Sequence, residues 1–395
     1  MALPVTPAET LNQQRVRRAN NSATFSVIPI IYGDVLAEGR IFAIGKSSPT
    51  DWIFGVLWGF GELTYVRNVR LDGKDVIGDT TVTSYRGTAE QQVDPTLAAA
   101  ITDPQYLDRL NRIAYSVISF SQDDYGSIPN FTAEVGGIAG TSNPARAYRD
   151  LVTNAVYGLG ESVDEDAQRE AEIFCDAFID GTEVRHSIGL VLEQSLAVGQ
   201  WLDILAEYAG CWSNRVGGKF ALTLNHITEI STRLTDADVV RGGVVAEDLN
   251  LNQLPTTVDV SYTEISDGQS ETRNAVYRTN EVLLGIESER VSNVAMPGIT
   301  RYSEAFRLAQ KRQRLLDNQS WKLTVLDSHL GIERGDRITY TDSKQGLALD
   351  LHVVGVPTRA GNGLITLECY EYRASDYSET VTEAPTFTSG KRVYE

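Results

Sequence analysis

From Phe25 onward, apolar side chains fall at every second position or in short β-branched runs. Phe25, Val27, Ile28, Ile30 and Ile31 lead into a turn at Tyr32-Gly33-Asp34. Arg40-Ile41-Phe42-Ala43-Ile44 and Leu63 to Leu71 repeat the pattern. Side chains alternate across a strand, so this is the period of half-buried strands. Asp72-Gly73 is a hairpin-turn signal. Arg112 to Phe120 puts Ile113, Tyr115 and Val117 on one face, and Phe131, Ala133 and Val135 alternate with Thr132 and Glu134. Between Leu71 and Arg112, residues 79–111 are less regular and leave room for a short helix.

The period changes at Asn143-Pro144. An Asn that caps, followed by a Pro whose missing N–H costs nothing in the first turn, starts a helix. Ala145, Tyr148, Leu151, Val152 and Val156 then recur at helical spacing until Gly158 and Gly160. A second helix is expected from Asp164 to Ile179, with Asp164, Glu165 and Asp166 at its positive end. A third begins near Ser195 and ends at Gly210. Cys211-Trp212, the Gly217-Gly218 turn and Phe220/Leu222/Leu224 read as a tight hairpin. Residues 231–300 are strand-like, with Val258, Val260 and Tyr262 alternating. One long helix covers Tyr302 to Leu316, and strands return at Ile338/Tyr340, Leu347 to Val356 and Leu364 to Tyr372.

These shifts divide the chain. A flexible N-terminal arm covers 1–24, a first β-domain 25–142 and the helical part of an α+β domain 143–210. A second β-domain covers 211–300, a helix plus β-barrel-like domain 301–375, and a C-terminal tail or connector 376–395. The fold class is α+β, strand-rich and multidomain.

Charge narrows the function. With 35 Lys+Arg against 53 Asp+Glu the net charge is −18, which disfavours binding by phosphate neutralisation and attraction to anionic lipid. The dense basic cluster of the arm, Arg15, Arg17 and Arg18, fits either a disordered start or docking on an acidic partner, another copy included. Arg307, Lys311, Arg312 and Arg314 populate the long helix. They are expected to be a solvated face, with contact to a neighbouring acidic subunit as the sharper alternative. No segment is long and apolar enough for a signal peptide or a membrane span, so the protein is expected to be made and kept in the cytosol, or to leave by a route other than a classical signal.

Candidate chemistry is sparse. Gly39 to Ser47 imitates a phosphate loop, but five residues separate Gly39 from Gly45 where that loop needs four, and they follow a strand pattern. The four histidines, His186, His226, His329 and His352, form no close pair, and His226 with Glu229 is the nearest approach to a metal motif. Cys175, Cys211 and Cys369 are too far apart in sequence for a CxxC site, and Cys175 beside Phe174 and Phe178 reads as a buried thiol. Asp123-Asp124, Asp164-Glu165-Asp166 and Asp236/Asp238 read as turn or cap acids, and Arg334-Gly335-Asp336 as a turn into a strand. No catalytic, cofactor-binding or metal-ligating residue is assigned, no cofactor is expected, and the chain is expected not to be an enzyme.

The order of segments adds a resemblance. Ile28-Pro29-Ile30-Ile31-Tyr32-Gly33 with Gly39-Arg40-Ile41 resembles the start of the hub region of lambda-type host-specificity tail-tip proteins of long-tailed phages. Leu57-Trp58-Gly59-Phe60-Gly61-Glu62-Leu63, followed by Val69-Arg70-Leu71-Asp72-Gly73, is similar to its next stretch. Ile128-Pro129-Asn130-Phe131-Thr132-Ala133-Glu134-Val135 resembles a strand of that family. Asn143-Pro144-Ala145, Leu151-Val152-Thr153-Asn154 and Tyr157-Gly158-Leu159-Gly160 resemble its helix. The helix from Trp201 to Gly210 and the Gly217-Gly218 hairpin also fit.

The resemblance implies a fold like the baseplate hubs of contractile tails, with two tail-tube-like β-domains and a helix-containing inserted domain. It implies a homotrimer that mimics a six-fold tube ring. The expected role is a structural tail-tip hub that joins the tail tube and distal tail ring to the tip and closes the lumen until DNA ejection. The implied partners are the distal tail protein, the tube and tape-measure proteins and a separate fibre or spike. DNA passes through the lumen without specific binding, repelled if the acidic excess lines it. The expected location is the virion tail tip, after assembly in the host cytoplasm. Family members continue into fibronectin-like modules and a receptor-binding end, which the sequence up to Glu395 does not include, so receptor recognition is expected elsewhere. Two rivals stay open: a receptor-binding adhesin of the tail tip, and a tail-associated cell-wall hydrolase.

Overall fold

A computed structural model describes residues 28–101, 110–121, 123–125, 127–138, 140–193, 196–247, 254–266 and 268–383. They form two compact units. The first comprises the described residues up to Ser142 together with Ile188–Leu196 and Ile265–Glu271. The second comprises Asn143–Ser187, Ala197–Glu264 and the described residues from Thr272 on. The architecture is α+β and strand-rich, in several separate sheets.

The first unit holds two four-stranded sheets. One runs Asp34–Glu38, Phe131–Ile138, Leu63–Leu71, Lys74–Asp75; the other runs Arg40–Lys46, Asp51–Phe60, Ile113–Ser121, Thr81–Arg86. Every neighbouring pair is antiparallel. The alternation seen in sequence becomes an inner face: Phe54 stacks on Phe120 at 5.2 Å and meets Phe131 of the other sheet at 5.5 Å. Such ring pairs contribute about 0.5–1.5 kcal/mol beyond the area they bury. Trp58, buried, donates its indole N–H to Ser116 Oγ at 2.8 Å. The short helix left open for residues 79–111 is Pro95–Ala100, capped by Asp94, and it drops Leu97 into the core. Asp72 and Gly73 both have positive φ, 52° and 73°, as a two-residue hairpin turn requires. Gly33 (φ 71°) turns the chain where a Cβ would lie 1.7 Å from the carbonyl oxygen of Ile188, so no other residue fits.

In the second unit the helices are Pro144–Thr153, Glu165–Asp176, Val198–Tyr208 and Tyr302–Leu316, with one short turn at Asn280–Leu283. Asn143 Oδ1 caps the first by accepting from the Ala145 and Arg146 amides, and Asp164 caps the second by accepting from Asp166 and Ala167. The second helix stops at Asp176. Phe178–Ile179, expected to continue it, instead pairs with Glu183–Val184 as a small hairpin. The third helix is described from Val198; Ser195, its expected start, lies outside the described residues. The hairpin Cys211–Val216/Lys219–Leu224 forms as expected.

The large sheet of this unit departs from the expected division. Its order is Ile230–Thr235, Arg337–Asp342, Leu347–Val353, Ile365–Glu371, Ser320–Val325, Val239–Ala246, with Thr358–Arg359 beside Ile365–Glu371. Strands from both sides of position 300 share it, so a border there does not separate sheets. Among the described residues no pairing joins its two end strands. Leu323 and Val325, Leu351 and Val353, and Ile365, Leu367 and Cys369 point alternately into one core. Thr257–Ser266 pairs with Gln269–Arg278 and, in parallel, with Val291–Ala295.

Candidate functional site

The densest concentration of polar contacts lies where the helix Tyr302–Leu316 crosses residues 183–187. Arg307 is only 4% exposed. It donates to Glu183 Oε1 at 2.8 Å, to Ser303 Oγ at 2.7 Å and to the Arg185 carbonyl at 2.8 Å. Glu304, also buried, accepts from the Ser187 amide at 3.1 Å and pairs with Arg301 at 2.5 Å and His186 Nδ1 at 3.3 Å. Arg301 reaches Glu183 at 3.2 Å and the Val184 carbonyl at 2.9 Å. Further along, Lys311 donates to the Asn225 carbonyl, Arg312 pairs with Glu207, and Arg314 donates to the Ser375 and Ser378 carbonyls. The solvated basic face expected for Arg307, Lys311, Arg312 and Arg314 is therefore not what the fold builds. The helix spends its cations on contacts within its own unit, because buried guanidinium needs paired acceptors.

Some of those contacts hold a strap. Residues 374–383 lie across the sheet and the helix. Asp376 accepts from Asn318 Nδ2 at 2.6 Å. Tyr377, buried, donates its hydroxyl hydrogen to His352 Nδ1 at 2.6 Å, while His352 Nε2 donates to the Gly335 carbonyl at 3.1 Å. Glu379 pairs with Arg185 Nε at 2.7 Å, and Arg185 lies 4.2 Å over the Phe174 ring. The Val381 amide donates to Asp180, and that of Thr382 to Ser303 Oγ. The mobile tail expected from residue 376 is thus anchored through 382. The remainder of that tail, 384–395, and the arm 1–24 with Arg15, Arg17 and Arg18 lie outside the described residues.

Titration behaviour follows burial. His226 and His352 are both pushed down to about 4, because burial disfavours the imidazolium. The Lys311 amine is lowered to about 8 by the same loss of solvation. Burial pushes the Cys175 thiol well up and those of Cys211 and Cys369 up to about 12, so none is a ready thiolate.

The candidate chemical residues are dispersed. Cys175 and Cys211 are buried around the Ala209 carbonyl, and Cys369 lies in the large sheet. His226 does not meet Glu229. It packs on Phe174 and Tyr377, with Glu379 3.9 Å away. Gly39 to Ser47 contains the strand Arg40–Lys46, and Arg334-Gly335-Asp336 is a turn with Gly335 at φ 98°. Asp238 is held low by hydrogen bonds from Thr235 and His329. Among the described residues no three metal-ligating side chains converge, and no helix is long and apolar enough to cross a membrane. The arrangement can hold a chain segment firmly. Sequence reasoning missed Glu183, Arg185, Arg301, Glu304 and Glu379, since partners up to 194 residues apart leave no local signal.

Comparison with known proteins gives this architecture a context. No protein-family profile matches the chain. Over 235 residues, 55% of its length, the chain is 25% identical to "Tip attachment protein J" of Escherichia phage SECphi27, and that stretch spans 19% of the relative. A chain from the virion of a native gene transfer agent particle superposes with a TM-score of 0.66 at 17% identity, covering 92% of this chain and 89% of that one. A tail protein from Neisseria meningitidis MC58 is a looser likeness, with a TM-score of 0.38 at 12% identity over 88% and 96% of the two chains. The chain is phage tail-related: it shares sequence with part of a tip attachment protein and its fold with a chain of a gene transfer agent virion.

Proposed function

We propose that the chain is a structural tail-tip hub of a phage or phage-like particle. A homotrimer would join the tail tube and distal tail ring to the tip and close the lumen until DNA ejection. The likeness to a gene transfer agent chain over 92% of the sequence carries this reading, and the partial relation to a tip attachment protein points to the same end of the particle. The ion-pair network of Glu183, Arg301, Glu304 and Arg307 and the strap support a mechanical role, since their cations and carboxylates are committed to one another. The distal tail protein, the tube and tape-measure proteins and a separate fibre or spike are the proposed partners. Assembly in the host cytoplasm precedes residence at the virion tail tip. The net charge of −18 supports passage of DNA without adhesion, by repulsion from an acidic wall.

Native mass by light scattering tests the reading, over a range of concentration and with the distal tail protein added. The expected result is a species three times the 43.4 kDa chain, alone or on its partner. A chain that stays monomeric in both conditions sinks the trimeric hub.

A further inference from the structure

We propose that the cavity between the large sheet, the hairpin Cys211–Leu224 and the strap binds a saccharide. It has a volume of about 420 Å³, within the ~300–1,000 Å³ typical of ligand pockets. The cavity lies entirely in the second unit and does not depend on the hub reading.

Its aromatic floor is fixed in advance. The Arg334 guanidinium lies 5.0 Å over the Trp212 ring, and His352 meets Trp212 at 62° with centroids 5.2 Å apart. His352 cannot turn without losing both ring hydrogen bonds. Tyr370 and Tyr377 extend the aromatic lining. The carbon-bound hydrogens of a pyranose face are weakly positive and pack on the negative face of such rings.

The rim supplies mixed polarity. Arg334 uses Nε on the Val354 carbonyl at 2.6 Å, and no carboxylate lies within salt-bridge distance of it among the described residues. Glu368 is exposed and lies against Gly355, where a Cβ would come within 2.8 Å of its Oε2. The bare glycine is what lets that carboxylate lie along the wall. The Asn225 amide completes the lining. Sugar hydroxyls both donate and accept, which suits one guanidinium, one amide and one carboxylate. Glu371 in the lining is already paired with Arg373 at 2.9 Å, so Glu368 is the carboxylate left to accept from a ligand.

The test uses the full chain with maltose, lactose and N,N′-diacetylchitobiose, and adenosine as a flat aromatic control. Saturation-transfer NMR and tryptophan fluorescence read binding. We expect saturable binding of at least one disaccharide with a Kd on the order of 1 mM. Glu368→Gln and Tyr370→Ala each weaken it by about tenfold, with circular dichroism unchanged. Arg86→Ala, in the other unit, leaves it alone. Absence of saccharide binding up to about 50 mM, binding untouched by both cavity variants, or binding of adenosine in place of sugars overturns the proposal.

Discussion

The two units solve the problem of burying polar atoms differently. In the first, Trp58 donates to Ser116, whose hydroxyl meets Ser84 at 2.8 Å, and Tyr85, stacked on Tyr115, donates to Asp94 at 2.7 Å. In the second, Arg307 and Glu304 are buried as ions within a network that includes Glu183, Arg301 and His186. All four histidines and all three cysteines of the chain also fall in the second unit. Ring stacking depends little on pH near neutrality, whereas a network of charges and buried imidazoles couples folding to protons. Acid should therefore bear more on the second unit than on the first.

The largest effects should come from breaking one unit without the other. Phe54→Ala removes the ring that both sheets share and should cost about 3–5 kcal/mol, insensitive to salt. Arg307→Met leaves the Arg185 carbonyl without its side-chain donor and takes one of the two arginines from Glu183, and should cost about 3–5 kcal/mol. Hydrogen exchange resolved along the sequence should show deprotection confined to the first unit in one variant and to the second in the other. Deprotection of both units by either change would dissolve the contrast.

Acid sharpens it. His226 and His352 sit at about 4 folded against 6.5 unfolded. Between those values the unfolded chain takes up protons that the folded chain refuses. Stability therefore rises with pH through this window and is lost on acidification, by up to a few kcal/mol. Exchange at pH 5 against pH 7 should open the second unit and spare the first. Equal opening of both would mean that carboxylates common to the two units dominate.

Smaller changes test single contacts. Tyr377→Phe leaves buried His352 Nδ1 without its donor and should cost about 1–3 kcal/mol, read as a lower urea midpoint and faster proteolysis near residue 377. Asn143→Ala removes the cap that accepts from Ala145 and Arg146 and should cost about 1 kcal/mol, with fraying of the helix that follows. A loss as large as that of Arg307→Met would show that Asn143 matters mainly through its amide contact with Asp176.

What the sequence disclosed was local. Asn143-Pro144, Asp164, Asp72-Gly73 and Gly217-Gly218 act on neighbours within a few residues, so their helices and turns could be read directly. The helix ending at Asp176 was overrun because Phe178 and Ile179 fit helical spacing, and only the pairing with Glu183–Val184 decides otherwise. The basic run was misread for a related reason. Arg307 looks like a surface residue until Glu183, over a hundred positions earlier, is folded against it. Nothing near Tyr377 announces His352, and nothing near Glu379 announces Arg185. The ion-pair network around Arg307 and the strap exist only as tertiary partnerships.

The parallel pairing of Ile230–Thr235 with Arg337–Thr341 has a consequence for synthesis. The edge strand leaves the ribosome over a hundred residues before its neighbour, and a chain made at about 5–20 residues per second must carry it unpaired for several seconds. The strands of the first unit up to Ile138 can already have closed by then. The second unit waits: among the described residues its last buried side chain to arrive is Tyr377, so its packing is incomplete until the strap emerges. During that interval the unpaired edges of its strands are open to pairing with another chain.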